Sequence, residues 1–126
     1  MAGRNPGTII EDLAALLKIL AEPNRLLILD LLMQGVQCNC EIGRNLQLAP
    51  NLVSHHMNVL RQAGLVKVER DATDARWVYF SVNRDRLDEL HELVDLFFDP
   101  GRIRSRRPDC GPESTFVQIQ ETDYRS

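Results

Sequence analysis

Residues 50–66 read PNLVSHHMNVLRQAGLV, and this stretch predicts a helix that passes directly into a strand. Pro50 fits the first turn of a helix, where its missing backbone N–H would have no intrahelical partner. Gly64 ends the helix, because glycine readily takes the backbone conformation that stops one. We therefore predict a helix over residues 50–63, although Ala49 offers no side-chain cap at its start.

Three further helices are predicted on the N-terminal side of this stretch. Apolar residues at helical spacing favour an amphipathic helix over residues 9–20. Pro23 suits the first turn of a second helix, which is broadly apolar and ends near Gly35. A short helix is expected from about Asn39 to Leu46, so that the helix of residues 50–63 follows it after a tight turn.

The sequence period changes on the C-terminal side. Residues 65–70 and 76–82 are rich in β-branched or aromatic side chains, which favours strands, and the polar residues 71–75 between them fit a hairpin turn. A last helix is expected over about residues 85–98. The order α-α-α-α-β-β-α predicts a mainly α protein with a small β-hairpin, a winged helix-turn-helix.

The length of 126 residues fits one compact domain plus a tail. We expect a flexible N-terminus over residues 1–8 and the winged helix-turn-helix over residues 9–98. Residues 99–126 form a C-terminal tail, in which glycines, prolines and an Arg-rich run favour a loop. Within this tail, residues 116–120 alternate between apolar and polar side chains and predict a short strand.

The composition is ordinary for a soluble globular protein, with 44% hydrophobic and 26% charged residues. No apolar run approaches the ~18 residues that are needed to span a bilayer. The N-terminus lacks the apolar core of a secretion signal. We therefore expect a cytoplasmic protein that has no membrane partner.

The net charge is −3, but the charges are unevenly distributed. Residues 41–86 carry seven basic and five acidic side chains, so this part is net basic. Residues 87–98 carry four acidic side chains and no basic one. An acidic sum counts against nucleic-acid binding, but the net-basic part contains the predicted helix-turn-helix and hairpin.

Three blocks of the sequence resemble the ArsR/SmtB family of metal-sensing repressors. Residues 20–29, LAEPNRLLIL, resemble the family's LA-D-P-x-R-hydrophobic opening. Residues 53–66 resemble its V-S-x-H-L-x-x-L-R-x-A-G-L-V block. Residues 76–80, RWVYF, resemble its G-R-x-V-Y-Y strand, although glycine is absent from the usual wing position. The likeness covers about residues 10–98 and implies a homodimer, built on the first and last helices, that represses transcription by binding operator double-stranded DNA.

Cys38-Asn39-Cys40 falls where the arsenic-sensing branch of this family carries C-V-C-D-L. Some members of that branch place a third cysteine where this chain has Gly43. The resemblance therefore implies that As(III) or Sb(III), held by Cys38, Cys40 and a third ligand from elsewhere, releases the repressor from DNA. Cys110 is the only other thiol of the chain and is the candidate for that third ligand.

The chemistry of thiols agrees with this interpretation. Three cysteines in a chain with no export signal are better interpreted as thiols for metal or redox chemistry than as a disulfide framework. Thiolates select soft ions, and the trivalent metalloids favour three sulfurs, whereas Cd(II), Pb(II) and Zn(II) fit a three-thiol set less well. Because positions i and i+2 point to nearly opposite sides of a helix, Cys38 and Cys40 can share an ion only where the backbone is non-helical or unwinds.

A helix-turn-helix inserts the N-terminal part of its second helix into the major groove of DNA. Asn and Ser side chains there can contact base edges, and polar or basic residues nearby can meet phosphates. His56 is expected to have a structural role instead. The candidate DNA contacts are Gln47, Asn51, Ser54, His55, Arg61, Arg70 and Arg76.

Two other functions compete with the metalloid sensor. A disulfide or persulfide bridge between Cys40 and Cys110 would make the protein a thiol-based redox or sulfide sensor on the same fold. An enzyme is disfavoured, because the chain has no Gly-rich phosphate loop and Cys38-Asn39-Cys40 is one residue short of the C-x-x-C redox motif.

Overall fold

The computed structural model describes residues 6–106 and 109–111, and this part of the chain contains five α-helices and three strands. The helices are α1 (Pro6–Leu20), α2 (Pro23–Met33), α3 (Asn39–Leu46), α4 (Pro50–Gln62) and α5 (Arg84–Phe97). The strands are β1 (Gln37–Cys38), β2 (Val66–Arg70) and β3 (Val78–Val82), and a 3-10 turn covers Pro100–Arg102. This arrangement confirms the predicted winged helix-turn-helix.

Strand β1 is the element that the sequence did not predict. It pairs antiparallel with β3, so that Gln37 lies opposite Phe80 and Cys38 opposite Tyr79. The resulting sheet has the order β1-β3-β2. A strand of two residues is too short to show the alternation by which strands are recognised, so only its partner reveals it.

One further difference concerns the N-terminal end of the described residues. Helix α1 begins at Pro6, so residues 6–8, which we expected in a flexible N-terminus, are helical. The strand predicted over residues 116–120 lies outside the described residues.

The core lies where α2, α3 and α4 meet the sheet. Helix α3 packs against α4, α2 packs against both, and α4 also contacts β2. Among the described residues, the apolar side chains with no exposed surface are Ile28, Ile42, Val53, Leu60 and Leu65, which come from α2, α3, α4 and the start of the hairpin. This shared core fixes the position of α4 relative to the hairpin.

The turn between α3 and α4 depends on Gln47 and Gly43. Gln47 has a φ of 55°, the left-handed conformation that ends a helix. The N–H groups of Gln47 and Leu48 both donate to the carbonyl of Gly43. A Cβ on Gly43 would lie 3.3 Å from the Leu48 carbonyl oxygen, so the close approach of this turn favours glycine.

The backbone divides into two compact units, Met1–Leu96 and Phe97–Ser126. The described part of the second unit contains the 3-10 turn, where the Asp99 carboxylate accepts a hydrogen bond from the N–H of Gly101 at 2.9 Å. Across the helices of the described residues, none is long and apolar enough to cross a membrane.

Candidate functional site

Helix α4 carries two kinds of side chain on its opposite sides. The buried side carries Val53, His56, Met57 and Leu60, which recur at the helical period. The exposed side carries four of the predicted DNA contacts, namely Asn51, Ser54, His55 and Arg61. The exposed side of α4 therefore offers hydrogen-bond donors and acceptors to a partner.

The β2–β3 hairpin, which we call the wing, has a loop that is held by the side chain of Asp71. Its carboxylate accepts hydrogen bonds from the N–H groups of Thr73 at 3.1 Å and Asp74 at 3.0 Å, and from the Thr73 hydroxyl at 2.7 Å. These hydrogen bonds, the hydroxyl first, hold the pKa of Asp71 below its ordinary value. An Asx turn thus replaces the glycine that is absent from this wing.

The two wing arginines are exposed but differ in their local partners. Arg70 Nη1 donates to the carbonyl oxygen of Ala75 at 2.8 Å. This acceptor is neutral, so the hydrogen bond does not neutralise the positive charge of Arg70. Arg76 forms an ion pair with Asp74 at 2.8 Å, and hydrogen bonds from Arg76 hold the pKa of Asp74 below its ordinary value. Arg70 is therefore the stronger candidate for a phosphate contact.

A groove of about 380 Å³ separates α4 from the wing. Ser54, Met57 and Arg61 line it from α4, and Arg70 and Phe80 line it from the wing. Cys40, from the start of α3, lines the same groove. One of the two neighbouring thiols therefore lies directly beside the elements that carry the predicted DNA contacts.

Cys38 occupies a different environment from Cys40. It is the N-cap of α3, with an extended backbone (φ −86°, ψ 165°), and its side chain is only 6% exposed. Its N–H donates to Glu41 Oε1 at 2.7 Å, and the two residues form a capping box. Because Cys38 also pairs with Tyr79, it joins the start of α3 to the wing strand β3.

The capping box also sets the charge beside these thiols. The hydrogen bond from the Cys38 N–H, followed by one from the Cys38 side chain, holds the pKa of Glu41 below its ordinary value. The Glu41 carboxylate is therefore ionised at neutral pH and stabilises the N-terminus of α3.

The three cysteines are free thiols, and Cys40 and Cys110 are exposed. Cys110 belongs to the second compact unit. Within residues 6–106 and 109–111, no group of three or more His, Cys, Asp or Glu side chains is placed to hold a metal ion. One thiol of the pair is buried and the other is exposed, so shared ligation by Cys38 and Cys40 requires the start of α3 to rearrange.

His56 has the structural role that we expected. It is 6% exposed, and its Nδ1 accepts a hydrogen bond from Arg25 Nε at 3.2 Å. Arg25 also donates from Nη1 to the carbonyl of Ile19 at 3.0 Å, which ties α2 and α4 to the end of α1. Sequence reasoning missed this role of Arg25, because the two partners lie 31 positions apart.

His56 predicts a pH dependence of stability. Burial, followed by the nearby charges of Arg25 and His55, lowers its pKa below 6.5, and Glu22 opposes this shift. The unfolded chain takes up the proton at a higher pH than the folded chain. The contribution of His56 to the free energy of unfolding should therefore be fully present above pH 6.5, and it should be lost as the pH drops through the lower pKa of the folded state. Urea denaturation at about pH 7.5 and about pH 5.5 measures this loss.

Two glutamine substitutions separate this effect from other titrations. His56→Gln should remove the histidine part of the loss, whereas His55→Gln, at the exposed neighbouring position, should retain most of it, because burial and Arg25 are the larger causes of the lowered His56 pKa. A His56→Gln protein whose stability still falls as steeply as that of the wild type would contradict the prediction.

Known proteins resemble this chain over the region described above. The family profile of bacterial regulatory proteins, arsR family, matches residues 22–68. The chain is 37% identical over 86 residues to an HTH-type transcriptional regulator of Methanocaldococcus jannaschii that is described as uncharacterized, with 68% of this chain and 93% of that protein covered. It is 31% identical over 86 residues to the arsenical resistance operon repressor of Staphylococcus xylosus, with coverage of 68% and 80%.

A solved structure extends the likeness to three dimensions. The crystal structure of a possible transcriptional regulator for arsenical resistance matches with a TM-score of 0.59 and 28% sequence identity. The match covers 67% of this chain and 84% of the other.

Proposed function

This chain belongs to the ArsR family of transcriptional repressors, and we propose that it binds operator DNA as a homodimer and releases it when As(III) or Sb(III) binds Cys38 and Cys40. The family consists of regulators of transcription and not of enzymes. The observation that carries the proposal is the position of the two thiols. Cys40 lines the groove between α4 and the wing, and Cys38 joins α3 to the wing strand.

The DNA contacts of the proposed repressor divide into two groups. Asn51, Ser54 and His55 at the exposed start of α4 contact base edges in the major groove. A second group contacts phosphates and fixes the register without reading sequence; it consists of Gln47 in the turn, Arg61 in α4, and Arg70 and Arg76 in the wing.

The proposed homodimer forms through α1 and α5. Helix α1 buries Leu13 and Leu16 but leaves Ile10 and Leu17 exposed, and α5 leaves Leu96 exposed. A partner subunit that covers these side chains would remove apolar surface from water, which favours association. Light scattering of the purified protein measures whether it is a dimer.

Metalloid binding would act on DNA through the start of α3. To bind one ion, the buried sulfur of Cys38 and the exposed sulfur of Cys40 must converge, which disrupts the capping box with Glu41 and the pairing with Tyr79. Because α3 packs against α4, this change alters the position of α4 relative to the wing. By linkage, DNA then weakens metalloid binding by the same factor by which the metalloid weakens DNA binding.

The third sulfur in this proposal comes from Cys110, in the same subunit or its partner. Gly43 is the position at which some arsenic-sensing relatives carry a third cysteine. A Cβ there would lie 3.3 Å from the Leu48 carbonyl oxygen, so a cysteine would crowd the turn between α3 and α4. The tight turn therefore supports a third ligand from outside α3.

Fluorescence anisotropy of the reduced protein on duplex DNA from its own upstream region tests the proposal. As(III), Sb(III), Cd(II), Pb(II) and Zn(II) are each titrated into the complex. We expect As(III) or Sb(III) to release the DNA at low molar equivalents. Release by Cd(II), Pb(II) or Zn(II) alone would mean that the inducer is a divalent metal ion and not a metalloid. Failure to bind any duplex would contradict the whole proposal.

A thiol-based redox or persulfide sensor is the second candidate. It is supported by the exposure of Cys40 and Cys110, the two thiols that such a bridge would join. In that case an oxidant or polysulfide releases the DNA, and Cys38→Ser retains the response. A metalloid sensor loses its response in the same variant.

A further inference from the structure

Three successive backbone carbonyls follow α4, and all three accept hydrogen bonds from the residues that begin α5. Arg86 Nε donates to the carbonyl of Ala63 at 3.0 Å. Asn83 donates from its side-chain Nδ2 to the carbonyl of Gly64 at 2.8 Å, and from its backbone N–H to the carbonyl of Leu65 at 2.8 Å. Carbonyls at the end of a helix ordinarily bond to water or to a local cap. Here the start of α5 takes the place of both.

The side chain of Arg86 is held at both its stem and its head. Its Nη1 forms an ion pair with Glu89 Oε2 at 3.0 Å, and the side chain is 31% exposed. Its stem lies against Gly64, where an added Cβ would be 3.5 Å from Nε and 3.6 Å from Cγ. Because a guanidinium is planar and presents its N–H groups in a fixed fork, the contacts with Ala63 and Glu89 together fix the direction of Arg86.

We call this set of contacts, from Asn83 and Arg86 to the carbonyls of residues 63–65, the α4–α5 joint. Among the described residues, α4 packs mainly against α2, α3 and β2, and α5 is not one of these main packing partners. The joint is therefore the main direct link between α4 and α5. Helix α5 also carries the exposed side chain of Leu96, which belongs to the surface proposed for the partner subunit.

A small change at this joint moves the opposite end of α4 by a large distance. The helix has 13 residues, so at a rise of about 1.5 Å per residue it is about 20 Å long. A rotation of about 10° around its last turn would displace its first turn by roughly 3 Å. Successive base pairs of duplex DNA are about 3.4 Å apart, so the displacement corresponds to about one base pair.

We infer that Arg86 is a positioning residue of the proposed repressor: with Asn83 it fixes the angle between α4 and α5, and this angle sets the spacing of the two DNA half-sites that the homodimer accepts. The inference rests on the proposed function and adds a determinant of specificity that acts through α4 and not by contact with DNA. Dimeric helix-turn-helix proteins bind half-sites whose spacing mirrors the geometry of the dimer. In this protein that geometry passes through the joint.

Duplexes that differ only in half-site spacing test the inference. Footprinting of the reduced, metal-free protein on duplex DNA from its own upstream region defines the two half-sites, and one base pair is then inserted or removed between them. Anisotropy measures the affinity for each duplex, and the affinity for the native duplex divided by that for an altered one is the spacing ratio. We expect a ratio of about ten or more for the wild type, comparable to the cost of one mismatched base pair. Arg86→Gln should lower it to about three or less, because α4 then samples more orientations.

Three further variants separate the joint from charge and from folding. Arg84→Gln is the matched control, since it removes a positive charge at an exposed position of the same turn and should keep the wild-type ratio. Arg86→Lys keeps the charge but lacks the fork, so its ratio should be intermediate. Asn83→Ser retains a residue type that favours a helix start but loses the amide N–H that reaches Gly64, so it should also lower the ratio.

Urea denaturation of each variant measures folding. A purely structural role of Arg86 would lower the amount of folded protein, which weakens binding to all three duplexes by the same factor and leaves the spacing ratio unchanged. If Arg86→Gln does not fold, Arg86→Lys and Asn83→Ser decide the question.

The outcomes separate this inference from the proposed function. If the wild type binds all three duplexes alike, or if folded Arg86→Gln keeps the wild-type ratio, the inference is wrong and the proposed function stands. An equal change in Arg84→Gln would also overturn the inference, because charge and not the joint would then set the spacing. A footprint of one half-site contradicts the homodimer and the inference with it, and failure to bind any duplex contradicts the whole proposal. A ratio that falls in Arg86→Gln, falls less in Arg86→Lys and stays unchanged in Arg84→Gln supports both.

Discussion

Replacement of Cys40 with serine is expected to abolish the release of DNA by As(III) while leaving the DNA affinity of the metal-free protein within about twofold of the wild type. A serine oxygen is a poor ligand for a soft ion, so the thiol pair loses one of its two donors. Cys40 is exposed at the start of α3 and contributes nothing to the buried core, which is why the fold and the DNA-binding surface should persist. Allosteric couplings are typically about 5–150-fold in affinity, and the variant should lose this whole factor.

Anisotropy titrations with As(III) on the same duplex measure the effect, with Cys38→Ser and Cys110→Ser beside it. Cys38→Ser should also lose the response, and it is a conservative change because serine is a favourable N-cap in place of the cysteine that caps α3. Cys110→Ser reports whether the second compact unit supplies the third sulfur. A Cys40→Ser protein that still releases DNA at the wild-type concentration of As(III) would contradict the assignment of the site.

Leu60→Ala is expected to lower the free energy of unfolding by about 3 kcal/mol, the cost of deleting a buried leucine side chain and leaving a cavity. Leu60 has no exposed surface and lies on the buried side of α4. For a domain of this size the loss corresponds to a decrease in melting temperature on the order of 10–20 °C. Urea and thermal denaturation at one protein concentration measure both quantities, since stability depends on concentration when a protein dimerises.

Leu52→Ala provides a matched control on the same helix. Leu52 is 42% exposed, so its truncation should cost less than about 1 kcal/mol. Equal losses in the two variants would mean that the two sides of α4 are equally buried in the native protein. That result would contradict the division of α4 into a buried side and an exposed side.

Much of the fold followed from local sequence signals. Pro50 and Gly64 marked the beginning and end of the helix that became α4, and the change from helical to strand-like composition marked the wing. These signals act within a few residues, through the missing N–H of proline, the conformational freedom of glycine and the preferences of β-branched side chains. The seven candidate DNA contacts were also identified from the sequence, and all seven are exposed.

The parts that the sequence left open depend on partners that are distant along the chain. Strand β1 exists because Gln37 and Cys38 pair with Phe80 and Tyr79, more than 40 positions away. The left-handed conformation of Gln47 is a local exception: its N–H donates to the carbonyl of Gly43 four residues earlier, but glutamine carries no intrinsic signal for this conformation.

The thiol pair shows the same division most clearly. The sequence by itself determined that Cys38 and Cys40 lie at the start of a short helix beside the second helix of the helix-turn-helix, because helix boundaries are set by neighbouring residues. Only the tertiary structure decided that Cys38 is buried and joined to the wing strand while Cys40 opens into the groove beside Arg61 and Arg70. Burial is a property of the packed assembly of α3, α4 and the sheet, and no local pattern contains it.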